Sequence, residues 1–240
     1  MASQRLDILC EQCGYSLEGL PPDLDCPECG RPIQHSLPER RQGTPFQRAP
    51  SIGSWLATVV LVLSQPRTVW NNVRIEPLRS TAFLLANVLI ASVLASTTLM
   101  SAAAWGWRPP RLWYIAAFFF VTTMMLLALT SVEFTGLRFF GARRGFRTTT
   151  TVALTVCAHA SSAWLLGGLG LGITAQLSER IPWLAAAFQK VDFYVVGSLM
   201  IAPAVGAIMV FSILAGVGWR ALRFVNHPRD AAPPPPPSPA

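Results

Sequence analysis

Polar and apolar positions separate into blocks along this chain instead of alternating. Residues 80–105, 111–132, 148–176 and 191–218 are long apolar runs, each with at most one formal charge, placed at an end. About 20 helical residues cross a hydrocarbon core of ~30 Å, so each run predicts a membrane-spanning helix. Two shorter runs, 51–63 and 181–189, fall below that length. They predict interfacial helices, unless one of them completes a fifth span. Between them in character is the stretch to residue 79, where Arg67, Arg74 and Arg79 are interleaved with Trp70, Val73 and Ile75. This pattern predicts a membrane-surface segment with snorkelling arginines, so 51–79 reads as juxtamembrane. Residues 36–50 are polar, hold Pro38, Pro45 and Pro50 and show no apolar period, which predicts a linker. Residues 221–240 end in a polyproline run and predict a stiff, solvated tail. Pro203, flanked by Gly197 and Gly206, predicts a kink in the fourth span.

Composition sharpens this picture. Of 240 residues, 52% are hydrophobic and 13% charged, and the mean hydropathy is +0.42. Soluble domains carry about 25% charged residues, and disordered chains combine high charge with low hydrophobicity. Both classes are excluded. The expected fold class is an all-α membrane protein: a bundle of about four transmembrane helices over 80–220, with one or two interfacial helices and a small N-terminal module. Arginines and lysines orient it. Eight lie in residues 1–79, four at Arg138, Arg143, Arg144 and Arg147, and three at Arg220, Arg223 and Arg229, against four at Arg108, Arg111, Arg180 and Lys190. The positive-inside rule then puts both termini in the cytoplasm of a cell with an inner membrane. Trp105, Trp107, Trp113 and Trp183 suit an aromatic belt on the far side.

Four of the five cysteines form a C-x2-C-x12-C-x2-C pattern: Cys10, Cys13, Cys26 and Cys29. Each pair places two thiolates on one ion from a tight turn. Gly14 and Gly30 follow the pairs, where the turn wants a positive φ. Four thiolates close a tetrahedral shell and leave no open position for water, so the expected role is structural: one zinc ion, with iron also admitted by the sulfur set. No apolar signal precedes Cys10, which favours a reducing compartment and metal over disulfides. Residues 1–35 are expected to form this module, with Tyr15, Leu17, Leu20 and Leu24 as a cap and His35 unneeded as a ligand. Five acids and no base lie between Cys10 and Cys29. That sign argues against nucleic acid, which needs clustered cations.

The run CEQCGYSLEGLPPDLDCPECGRPI resembles the zinc ribbon that opens many uncharacterised bacterial membrane proteins, in which CGY, GLP and CPECG recur. More weakly, SQPRTVWNNVRIEPLRS before the first span resembles a Yip-type membrane domain. That second resemblance implies membrane organisation or adaptor roles, no catalysis and, usually, five spans.

Inside the third span, Thr148, Thr151, Thr155, His159 and Ser162 fall within about 80° of one helix face. Ser80, Asn87, Ala91, Thr98 and Ser101 form a similar face on the first span. Small and hydroxyl residues draw membrane helices together, so these faces are expected to meet, with Gly168 and Gly172 as a second close-contact surface. His159, Thr155, Ser162 and Asn87 are the candidate intramembrane polar site, His159 bonding to Asn87, Ser or Thr across the bundle. Glu133 is expected to pair with Arg138, Arg144 or Arg147. No catalytic constellation appears, and the chain is not expected to be an enzyme. The leading expectation is an adaptor whose zinc ribbon docks a protein partner. The alternative is a small transporter or channel subunit built around His159.

Overall fold

A computed structural model describes residues 8–103, 112–180 and 193–226. It is all-helical over these residues, with single antiparallel bridges at Leu9–Ser16 and Asp25–Pro32 in place of strands. The helices are α1 (Pro45–Arg48), α2 (Ile52–Ser64), α3 (Pro66–Asn72), α4 (Pro77–Ala103), α5 (Leu112–Arg143), α6 (Thr150–Ala160), α7 (Ser162–Arg180) and α8 (Phe193–Ala221). Four helical stretches are long and apolar enough to cross a membrane, and α6 with α7 counts as one of them. The apolar run at 181–189, the proline-rich tail from residue 227 on, and Trp105 and Trp107 lie outside the described residues.

The α6–α7 stretch is the centre of the bundle. Its apolar window is 83% buried, against 17% for α5, so α5 shows most of its surface to the surroundings. The central position follows from small residues. A Cβ on Gly168 would stand 2.7 Å from the Ala91 carbonyl of α4, and one on Gly167 2.9 Å from Ala207 of α8. Gly170 receives the ring of Pro203, and α8 remains one helix through that proline. Trp164 of α7 reaches α5, its indole donating to Thr130 Oγ1 at 3.2 Å.

The third span is one apolar stretch, Thr150–Leu177, as expected, with α6 and α7 divided only at Ser161, which keeps right-handed helical backbone angles and donates its Oγ to the Ala158 carbonyl. Several other expectations change. The second span continues past 132 to Arg143, because Phe134, Leu137 and Phe140 carry the helical period onward. The 36–50 stretch is not an uncoupling linker. It makes one 3-10 turn at Pro38–Arg40 and α1, opened by a Thr44–Gln47 capping box, and buries Arg41, Thr44 and Gln47. Nor do residues 66–79 merely rest on a surface. Val69, Trp70, Val73 and Ile75 are buried, because the Trp70 indole lies flat on Gly218 of α8, where a Cβ would come within 2.7 Å of the ring. Helix α2 also packs inward, its Trp55 indole donating to Asn87 Oδ1 of α4 at 2.8 Å. Finally, the tail begins later than residue 221: Leu222, Val225 and Asn226 are buried.

Candidate metal centre

The cysteine module is built from two equivalent knuckles. In the first, the Cys10 amide donates to the Tyr15 carbonyl at 2.8 Å and the Gly14 amide to Cys10 at 2.9 Å. In the second, Cys26 donates to Arg31 and Gly30 to Cys26, both at 2.8 Å. Leu17 bonds back to Ile8 as Ile33 does to Leu24. Gly14 and Gly30 hold φ of +81° and +69°, the left-handed turn expected of them. The two knuckles face each other across Cys10, Leu17, Cys26 and Ile33, a small buried core. Leu17 and Leu20 serve in it as expected. Tyr15 and Leu24 do not cap the site; they are 44% and 48% exposed, since the core is closed from the other side by Ile8 and Ile33.

The four sulfur atoms lie within 4.8 Å of one another. Cys10 and Cys29 are 3.6 Å apart, and Cys13 and Cys26 3.7 Å. Four ligands about 2.3 Å from one ion stand about 3.8 Å apart at the corners of a tetrahedron. A disulfide would need about 2.05 Å. The four cysteines can therefore hold one metal ion. Electrostatics agrees. Burial opposes the Cys10 thiolate, but the amides of Cys13 and Gln12 and the nearby thiols outweigh it and bring Cys10 down to about 7. Burial, reinforced by the surrounding thiols, pushes Cys13 up to about 12. At Cys29 the Arg31 amide favours the thiolate, yet burial and the thiols of Cys10 and Cys26 raise it. Crowded sulfurs share little negative charge until a cation sits among them.

The two knuckles differ in what lies outside them. The first is clamped to the bundle. Asn226 accepts from the Leu9 amide at 3.0 Å and donates to the Leu9 and Ser36 carbonyls, both at 2.7 Å. Glu11, between the first two cysteines, pairs with Arg41 through two bonds of 2.9 and 3.2 Å, and the ion pair is buried. Arg41 also donates to the carbonyls of Trp70 (2.9 Å) and Val73 (3.3 Å), closing the end of α3. Arg223 donates to the Gln12 carbonyl, and the ring of Phe224 covers Gly14. Among the described residues the second knuckle has no such cover: Pro27, Glu28 and Gly30 are exposed, and nothing lies within 4 Å of where a Gly30 Cβ would sit.

The intramembrane polar residues are brought together, but in other pairs than expected. Asn87 does not meet His159. Its amide donates to Ser161 Oγ at 2.9 Å while its carbonyl accepts from Trp55, giving a directed chain Trp55–Asn87–Ser161–Ala158. Ser80 and Thr155 share a 3.1 Å hydroxyl bond across α4 and α6. His159 Nδ1 donates to the Thr155 carbonyl on its own helix at 2.9 Å, and its ring stacks on Phe83 with centroids 5.2 Å apart. His159 Nε2 and Ser162 Oγ, both buried, have no hydrogen-bond partner among the described residues. Glu133 makes no ion pair among the described residues, since the arginines beyond it turn onto aromatic rings. Sequence reasoning missed Glu11, Arg41, Trp55, Ser161 and Asn226. A charged residue between two metal-ligating cysteines was the one visible signal.

Among known protein families, curated proteins and solved structures, no match to this chain was found. What stands is the class that fold and site define: a helical protein with four helices long and apolar enough to cross a membrane and four cysteines placed so that they could hold one metal ion.

Proposed function

We propose that this protein is a non-enzymatic membrane adaptor whose second knuckle docks a partner protein. One structural zinc ion at Cys10, Cys13, Cys26 and Cys29 would hold that surface in shape. The observation that carries the reading is the asymmetry of two equivalent knuckles. One is consumed by the bundle, while the other presents Leu24, Pro27, Glu28 and Gly30 outward on a rigid base. A module of this size gains its folding energy from metal, on the order of 10 kcal/mol, and a closed thiolate shell offers no site for substrate. The polar residues between the helices mostly bond to one another or to their own backbone, which fits packing between spans. The arginine bias supports a cytoplasmic position for this module and both termini.

Metal analysis of the purified full chain should return one zinc per chain, lost in the Cys26→Ser variant. A photo-crosslinking amino acid at Glu28 should capture one reproducible partner in cells, and Leu24→Asp should abolish that product at unchanged zinc content. A crosslink indifferent to both Leu24→Asp and Cys26→Ser would sink the docking reading.

A further inference from the structure

We propose that the module-bearing end of α5 and α8 is a binding site for the phosphodiester headgroup of an anionic phospholipid. The inference rests on the chain crossing a membrane. The residues that form this end, 134–149 and 219–226, contain Arg138, Arg143, Arg144, Arg147, Arg220 and Arg223 and no acid at all. The two segments are joined in space. The Arg147 amide donates to the Arg223 carbonyl at 2.8 Å, and Phe146 packs on both Trp219 and Phe224 with centroids 5.1 and 5.8 Å away.

Four of the guanidiniums lie over aromatic rings: Arg138 over Phe134 at 5.9 Å, Arg143 over Phe139 at 4.4 Å, Arg144 over Trp219 at 5.3 Å and Arg223 over Phe224 at 5.3 Å. A guanidinium attracted to a ring keeps N–H donors for an acceptor; of the four, Arg223 already gives one to the Gln12 carbonyl, while Arg138, Arg143 and Arg144 are exposed at the surface. Among the described residues none of these four, nor Arg220, is paired with a carboxylate. Guanidinium edges held in this way match the planar, two-oxygen geometry of a phosphodiester. Arg138, Arg143, Arg144, Arg220 and Arg223, five cations on neighbouring segments with no carboxylate paired to them among the described residues, favour an anion at this end.

Position selects a lipid as the source of the phosphate. The same stretch of α5 turns Phe139 and Phe140 outward, 51% and 55% exposed, and its apolar window is the least buried of the four. A headgroup at Arg143 and Arg144 would therefore have its acyl chains alongside apolar surface already facing the bilayer.

The test uses the full chain in neutral detergent, titrated with fluorescent phosphatidylglycerol, phosphatidylcholine or inorganic phosphate. Phosphatidylglycerol should bind at least about tenfold more tightly than phosphatidylcholine, the worth of one charge-assisted pair. Arg143→Gln/Arg144→Gln should erase that preference, as should Arg138→Gln/Arg220→Gln if the first pair compromises folding. Arg67→Gln on α3 should leave it intact. Equal affinity for the two lipids, or a preference that survives both double variants, overturns the proposal. So does full displacement of the lipid by millimolar inorganic phosphate, which would make this a site for a free anion. Release of the chain from membranes by alkaline carbonate would instead overturn the membrane reading.

Discussion

Gly14 and Gly30 occupy the same place in two equivalent turns, yet a methyl group would meet different surroundings at each. At Gly30 the only cost is the left-handed backbone, about 1–2 kcal/mol. At Gly14 the same backbone cost is joined by Phe224, whose ring atoms lie 2.9 and 3.0 Å from where a Cβ would sit. That ring is braced by Phe146 and cannot simply swing away. Gly14→Ala should therefore destabilise the module more than Gly30→Ala, by a further 1–3 kcal/mol for the overpacking. Chelator-challenge midpoints of the two variants compare them directly, and equal midpoints would mean that Phe224 does not seat on the first knuckle. At this scale the sequence was readable where chemistry is local. Cysteine spacing and the glycines after it specify a turn and a sulfur cluster within a few residues. Glu11 and Arg41, or Leu9 and Asn226, become partners only once the chain has folded; a charge between Cys10 and Cys13 marks Glu11, but nothing nearby marks Arg41, Leu9 or Asn226.

Helices were legible by length and period, and their faces by the placement of small and hydroxyl residues. Gly168 and Gly172 do meet α4, and Ser80 does meet Thr155. The break at Ser161 was hidden because residues 148–176 hold no proline and no formal charge, and a hydroxyl bond back to Ala158 leaves no trace in hydropathy. Trp70 and Trp55 were assigned to a surface because amphipathic tryptophan suits an interface; a glycine on α8 and an asparagine on α4 supplied better partners. The glycine seam gives the element-scale test. A leucine at position 168 must displace the Ala91 backbone and Leu94, 2.7 and 3.1 Å from its Cβ, whereas one at position 136 meets nothing within 4 Å. Gly168→Leu should lower the bundle's stability in detergent by 1–3 kcal/mol or prevent its assembly, while Gly136→Leu should stay near wild type. Thermal unfolding followed by tryptophan emission reports both; a harmless Gly168→Leu would show that α4 and α7 do not pack as described.

At the scale of the whole molecule, the question is whether the metal centre and the bundle behave as one body. A polar stretch at 36–50 implies that they do not, and that losing the metal unfolds the module alone. The structure places a continuous set of bonds there instead. Glu11 sits between Cys10 and Cys13, grips Arg41, and Arg41 closes the α3 carbonyls beneath the buried Trp70. Asn226 ties the strand before Cys10 and the turn at Ser36 to the end of α8. Metal removal frees the first knuckle to unwind, and with it Glu11 leaves a buried guanidinium without its partner, a loss worth about 3–5 kcal/mol when one member of a buried pair is removed. Chelation of the full chain should therefore raise amide hydrogen exchange in residues 8–36 and also in 41–75 and 219–226, while the middle of α4 and α7 stays protected by its apolar packing. Arg41→Met should reproduce the change in 66–75 with the metal still bound, and Glu11→Gln/Arg41→Met should reverse much of it, because removing both charges leaves none unpaired. Exchange confined to 8–36 after chelation would mean that the module is only tethered, and the clamp at Asn226 and Arg41 would then have no mechanical role.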